Sequence, residues 1–115
     1  MVSTLKSKPI YIKCYEATQN NSIKLRDTDW NALQLTVNAA YDNFTDRLFL
    51  LLYPAISRIE LRICLLIKIG LPVSTISQLI FRTSSAVSMG RKQLYKKIFK
   101  KEGTPLELDT LIYEL

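Results

Sequence analysis

Residues 56–99 read ISRIELRICLLIKIGLPVSTISQLIFRTSSAVSMGRKQLYKKIF, and the punctuation of this stretch decides the fold. Ser57-Arg58-Ile59-Glu60 has the form of a capping box, in which a serine hydroxyl accepts from the amide three residues on and the glutamate reaches back to the serine N–H. A helix is expected from there to about Ile69, with Ile59, Leu61, Ile63, Leu65, Leu66, Ile67 and Ile69 covering nearly its whole circumference, which makes it central. Gly70 is placed to end it in a left-handed turn. A short helix follows over about Val73 to Ile80, with Ile76 and Leu79 facing inward. Arg82-Thr83 then forms a tight break, and Thr83 is the expected N-cap of a long helix from Ser84.

Helix signals recur on both sides, and strand signals are poor, so the expected class is an all-α bundle of about seven helices without a winged element. Upstream, a helix over Pro9 to Ala17 ends at the polar Gln19-Asn20-Asn21-Ser22. Thr28 is expected to cap Asp29 to Tyr41, whose Trp30, Leu33, Val37 and Ala40 form one face. Asn43 is expected to cap a helix through Leu52 on which Phe44, Leu48 and Leu51 align, with Pro54 as its stop. Downstream, Thr104-Pro105-Leu106-Glu107 combines a second capping box with proline at the first helical position, opening a helix to Tyr113. A chain of 115 residues supports one core. Residues 1–55 are therefore expected to pack on the same core as residues 56–115.

The formal charge is +6, and its placement matters more than its size. Arg82, Arg91, Lys92, Lys96, Lys97, Lys100 and Lys101 fall in one stretch without an acid, while the rest of the chain holds nine cations against all ten acids. Such a stripe suits a polyanion, although a solvated basic face or an anionic lipid surface has the same footprint. The two cysteines, Cys14 and Cys64, have neither zinc nor disulfide-framework spacing, and there is no histidine, so no metal or cofactor is expected. A reducing cytoplasmic setting follows. The apolar runs Leu48–Ile56 and Ile63–Leu71 are too short to cross a bilayer, and no membrane contact is expected. Without histidine, a Gly-rich phosphate loop or paired carboxylates, enzymatic activity is not expected either.

At about 100° per residue, Val87, Leu94 and Ile98 share a narrow arc of the helix from Ser84 to Lys100. Ser85, Met89, Lys92 and Lys96 lie opposite, with Ser88, Gln93 and Lys100 on the flanks. Small polar groups lead and cations follow. A helix entering the major groove of double-stranded DNA needs that gradient, since slim side chains reach base edges while cations meet phosphates. Cations near a helix C-terminus also favour the macrodipole, so stability alone accounts for part of the pattern. Gly90 removes bulk where another element could approach. Central helix, turn, short helix, break and basic helix together give a helix-turn-helix order.

The same stretch resembles the LuxR-type and sigma-factor region-four-like helix-turn-helix through Glu60, the Leu65–Leu71 run ending in Gly-Leu, Ile76 and Ser85-Ala86-Val87. ELRICLLIKIG with SSAVSMGRKQLYKKIF is more similar still to the C-terminal DNA-binding domain of transcriptional regulators from Bacteroides-type bacteria, in which such domains often follow tetratricopeptide repeats. No tetratricopeptide pattern occurs here, so a sensing region is expected outside these residues. The resemblance implies a DNA-binding domain of a transcriptional regulator, with Ser88, Met89 and Lys92 facing bases. Ser84 and Ser85 join them at the leading end of the helix. Where LuxR-type domains open the short helix on a polar and a charged residue this chain has Pro72-Val73, which moves phosphate contact there to Ser74 or Thr75.

Arg82, Thr83, Arg91, Lys96, Lys97 and Lys100 complete the expected phosphate contacts. Five cations among them (Arg82, Arg91, Lys96, Lys97, Lys100) imply a fall of log affinity with log salt of slope near about −4.5. Glu60 is first a capping residue and could also pair with Arg62 or Arg91, anchoring the basic helix from behind. Trp30 and the six tyrosines form no strand-borne stacking platform, so RNA is the weaker partner. A protein-interaction module remains open as an alternative. Its basic face would dock on an acidic partner such as an RNA polymerase subunit, or Leu106, Leu108, Leu111, Ile112 and Leu115 would form a homodimer surface.

Overall fold

The computed structural model describes residues 5–52 and 56–115, and its described residues contain seven helices and no strand. They are α1 (Pro9–Glu16), α2 (Asp27–Ala40), α3 (Phe44–Leu52), α4 (Arg58–Lys68), α5 (Val73–Ile80), α6 (Ser84–Phe99) and α7 (Pro105–Glu114). None is long and apolar enough to cross a membrane.

The helix ends follow from local chemistry. Ser57 Oγ accepts from Glu60 N at 3.1 Å, and Glu60 Oε1 accepts from Ser57 N at 2.9 Å, closing the reciprocal box that starts α4. Gly70 takes φ +86°, a conformation without penalty only for glycine, and turns the chain toward α5. Thr83 Oγ1 accepts from Ala86 N at 3.1 Å and starts α6, while Thr104 and Glu107 form the box of α7.

Two upstream caps differ from expectation. α2 begins at Asp27 rather than Asp29, because the Asp29 carboxylate, three residues after Arg26, accepts from Arg26 N at 2.9 Å and needs no hydroxyl cap from Thr28. At α3 the N–H of the buried Thr45 donates to Asn38 Oδ1 of the preceding helix at 2.9 Å, and Asn43 instead occupies the left-handed turn at φ 55°. The expected stop at Pro54 lies outside the described residues, as does the boundary between residues 55 and 56.

α4 occupies the centre and packs against α2, α5, α6 and α7. Its Ile63, Cys64, Leu65, Leu66 and Ile67 are all buried, against Trp30, Leu33 and Val37 of α2 and Val87 and Leu94 of α6 in one continuous core. On α3 the buried apolar residues are Phe44, Leu48 and Leu52, an i, i+4, i+8 stripe, which leaves Leu51 at the rim rather than inside. The N-terminal helices share this core with residues 56–115. Lys68 closes the C-terminal end of α7: its buried ammonium donates to the Tyr113 carbonyl at 2.7 Å and lies over the Tyr41 ring. Burial, and secondarily Arg47, pulls its pKa below the usual lysine range.

Candidate nucleic-acid interface

Three residues, Phe81 to Thr83, join α5 to α6, and Phe81 makes the turn by adopting a left-handed conformation at φ 57°, ψ 46°. Non-glycine residues seldom hold that conformation. Phe81 does so with its ring largely in solvent, so packing of its own side chain is not what holds the turn. The clamps at either side are Thr83, which caps α6, and Arg82 N, which returns to the Ser77 carbonyl at 3.1 Å.

α6 is held from behind by three kinds of contact. Val87 and Leu94 are fully buried, Tyr95 nearly so, and Ile98 is half-buried. Gly90 lies where an added Cβ would stand 3.2 Å from Ile63 Cδ1, so the missing side chain lets α6 approach α4 closely. Two ion pairs then fix the helix. Lys97 Nζ donates to both Glu60 oxygens at 2.7 Å, joining α6 to the start of α4. Arg91 forks onto both oxygens of Asp109 on α7, with Nε to Oδ1 at 2.8 Å.

These contacts correct part of the expected phosphate set. Arg91 is 7% exposed and its guanidinium is spent on Asp109, so it faces the core side and not the outer face. The signal was present in the spacing: Val87, Arg91, Leu94 and Ile98 follow i, i+4, i+7, i+11, one inward stripe. Thr75 is 3% exposed for the same reason, lying one turn before the buried Leu79, and is removed from the phosphate positions. Lys97 is exposed, but its ammonium is engaged by the buried Glu60. Glu60 does anchor the basic helix from behind, but through Lys97 and not through Arg62 or Arg91, the partners the sequence suggests. Arg62 turns the other way, over the Trp30 ring at 4.7 Å and toward Asp27.

The outer face stands as the wheel predicted. Ser85, Met89, Lys92 and Lys96 are exposed in one strip, Ser84 is exposed at the first position of the helix, Ser88 is half-exposed, and Met89 leaves 57% of its surface in solvent. Arg82 and Thr83 are exposed at the leading end, and the Thr83 hydroxyl, although it accepts from Ala86 N, retains its proton as a donor. Lys100 is exposed at the trailing end, where it takes a left-handed turn at φ 60°. Lys96 stands 3.5 Å from Glu102 with both side chains well exposed, a pair of little energetic weight. Ser74 is exposed at the first turn of α5.

Sequence reasoning missed what the N-terminal half places beside the turn into α6. Gln78 of α5 donates from one amide nitrogen to the carbonyls of Asn20, at 3.0 Å, and Ile23, at 3.2 Å, so the α1–α2 connection is docked beside the turn into α6. Lys24 lies over the Phe81 ring, 5.9 Å from its centre. No spacing rule announces a contact between residues this far apart. Among the described residues no group of three or more His, Cys, Asp or Glu side chains could hold a metal.

The surface proposed for self-association is also reduced. Leu108 and Ile112 are fully buried and Leu111 and Leu115 half-buried, leaving Leu106, at 72% exposed, as the member of that set standing in solvent. Comparison with protein-family models, with curated proteins and with solved structures finds no match to this chain.

Proposed function

We propose that the chain is the DNA-binding domain of a cytoplasmic transcriptional regulator, in which α5, the Phe81–Thr83 turn and α6 act as a helix-turn-helix. The observation that carries this reading is the division of α6. Its inner stripe, Val87, Arg91 and Leu94, is wholly consumed by packing and by Asp109, while Ser85, Met89, Lys92 and Lys96 share one exposed strip with no fold-stabilising partner among the described residues beyond the weak Lys96–Glu102 pair. The macrodipole rewards a cation in the last turn, where Lys96 stands, but not at Lys92, about two turns before the helix ends.

In the proposed complex α6 enters the major groove. Ser84, Ser85, Ser88, Met89 and Lys92 meet base edges, with the Met89 thioether suited to a thymine methyl and Lys92 to guanine acceptors. Arg82, Thr83, Lys96, Lys100 and Ser74 meet phosphates, which position the helix without carrying sequence information. The two ion pairs behind α6 hold it rigid relative to α4 and α7, so its register is set before binding. The resemblance to LuxR-type domains agrees with this order of elements. A homodimer reading two half-sites, and a contact with RNA polymerase, belong to the same proposal as partners to be sought.

Selection of bound duplexes from a random pool tests the reading. Enrichment of one short motif, weakened by Lys92→Ala at particular base positions, is the expected outcome. A pool that stays random after repeated rounds contradicts a sequence-reading role.

A further inference from the structure

We infer that the α1–α2 connection, residues 17–26, is a second DNA-backbone contact that places Lys24 against a phosphate beside the entry point of α6; this rests on the DNA-binding reading above. The connection is built rather than loose. Asn20 Oδ1 accepts from Ser22 N at 3.0 Å and from Ser22 Oγ at 2.6 Å, and Ile23 N returns to the Asn20 carbonyl. Ile23 and Leu25 turn toward the core, which forces Lys24 between them to point outward.

Gln78 then fixes where it points. Its amide ties the connection to α5, one turn before Phe81, so the turn at Asn20–Lys24 travels with the turn that opens α6. Lys24 is exposed and takes part in none of the ion pairs among the described residues. Its ammonium instead sits by the exposed Phe81 ring, next in sequence to Arg82. A polar groove lined by Thr18, Asn21, Ser74 and Gln78 runs between this connection and the first turn of α5. Two cations from distant parts of the chain, Lys24 and Arg82, thus flank the leading end of the proposed recognition helix, with neutral donors beside them. A duplex backbone is the partner this fits, because its phosphates are regularly spaced and every one of them is accessible.

The test uses the whole chain and compares wild type with Lys24→Ala, Lys24→Arg, Gln78→Ala and Arg82→Ala on several unrelated duplexes between 50 and 200 mM salt. Loss of one phosphate contact lowers the salt slope by about 0.9, so the fall in affinity across that range shrinks by a factor of about 3.5. Lys24→Ala is expected to do this equally on every duplex, Lys24→Arg to retain the wild-type slope, and Gln78→Ala to weaken binding with Lys24 still present. If Lys24→Ala leaves the slope unchanged while Arg82→Ala lowers it, the second contact is overturned and the DNA-binding reading stands. If the loss depends on base sequence, the backbone role is overturned. If the wild type shows no salt-dependent duplex binding, both fall together.

Discussion

Removing Asp109 should uncover how far α6 depends on its ion pair with α7. In Asp109→Ala the Arg91 guanidinium, whose side chain is 8% exposed, keeps its charge and loses both acceptors, while Asp109 itself is 28% exposed. Breaking a fully buried pair from one side costs about 3–5 kcal/mol, and an exposed pair is worth about 0–1 kcal/mol. The partial exposure of Asp109 lets water reach the abandoned guanidinium, which places the expected loss at about 2–3 kcal/mol. For a domain of this size about 4 °C of melting temperature accompanies each kcal/mol, giving a drop of about 8–12 °C. The double variant Arg91→Met/Asp109→Leu removes the charge along with its partner and should recover to within about 1 kcal/mol of wild type. The same double variant should retain the wild-type salt slope for duplex binding, because Arg91 is not among the phosphate contacts. Thermal unfolding followed by circular dichroism measures the first effect. Asp109→Ala melting within about 1 °C of wild type, or a double variant with a lowered salt slope, would refute the reasoning.

Other consequences follow from single positions. Gly103→Ala would drive a Cβ into the ring of the buried Tyr95, which also packs tilted against Phe99, so a loss of about 2–3 kcal/mol in urea unfolding is expected. Burial, and then the Asp29 carboxylate, pushes the Cys14 thiol from its ordinary 9.0 up to about 12. The unfolded chain gives up this proton near pH 9 and the folded chain keeps it, so the contribution is intact below about pH 9 and is lost as pH rises toward 12. Stability should fall by up to about 1.4 kcal/mol per pH unit in that window, and Cys14→Ala should flatten the fall; an unchanged pH profile would contradict it. Lys92→Ala should cost about 1–3 kcal/mol on the preferred duplex and less on others if Lys92 reads a base. Uniform weakening across duplexes would move it to the phosphate set.

The helices were legible where the signal is local. Ser57 with Glu60, Thr83 with Ala86 N, Thr104 with Glu107, and Gly70 are contacts spanning three residues or a single φ, and the structure has each of them where the spacing predicts. The outer face of α6 was legible for the same reason, since a helical period fixes phase. Errors arose where two signals competed. The charge of Arg91 suggests a phosphate contact, whereas its position between Val87 and Leu94 puts it on the buried stripe; an acid on α7, eighteen residues on, makes that burial tolerable. The charge of Lys97 suggests the same, and its partner Glu60 stands thirty-seven residues away. The docking of residues 20–24 on Gln78 is non-local too, and made through backbone carbonyls, which every residue possesses and no pattern reveals.

The loss of Arg91 and Lys97 from the phosphate set changes the central quantity. Arg82, Lys96 and Lys100 remain, which with a slope of about −0.9 per phosphate gives about −2.7, and Lys24 brings it to about −3.6. Equilibrium titration of the wild-type chain with a duplex selected from the random pool, repeated across a salt series, measures that slope. A value between about −2.7 and −3.6, with affinity for the selected duplex well above that for a scrambled one, is the predicted result. Affinity indifferent to salt, or equal for the two duplexes, would contradict the account.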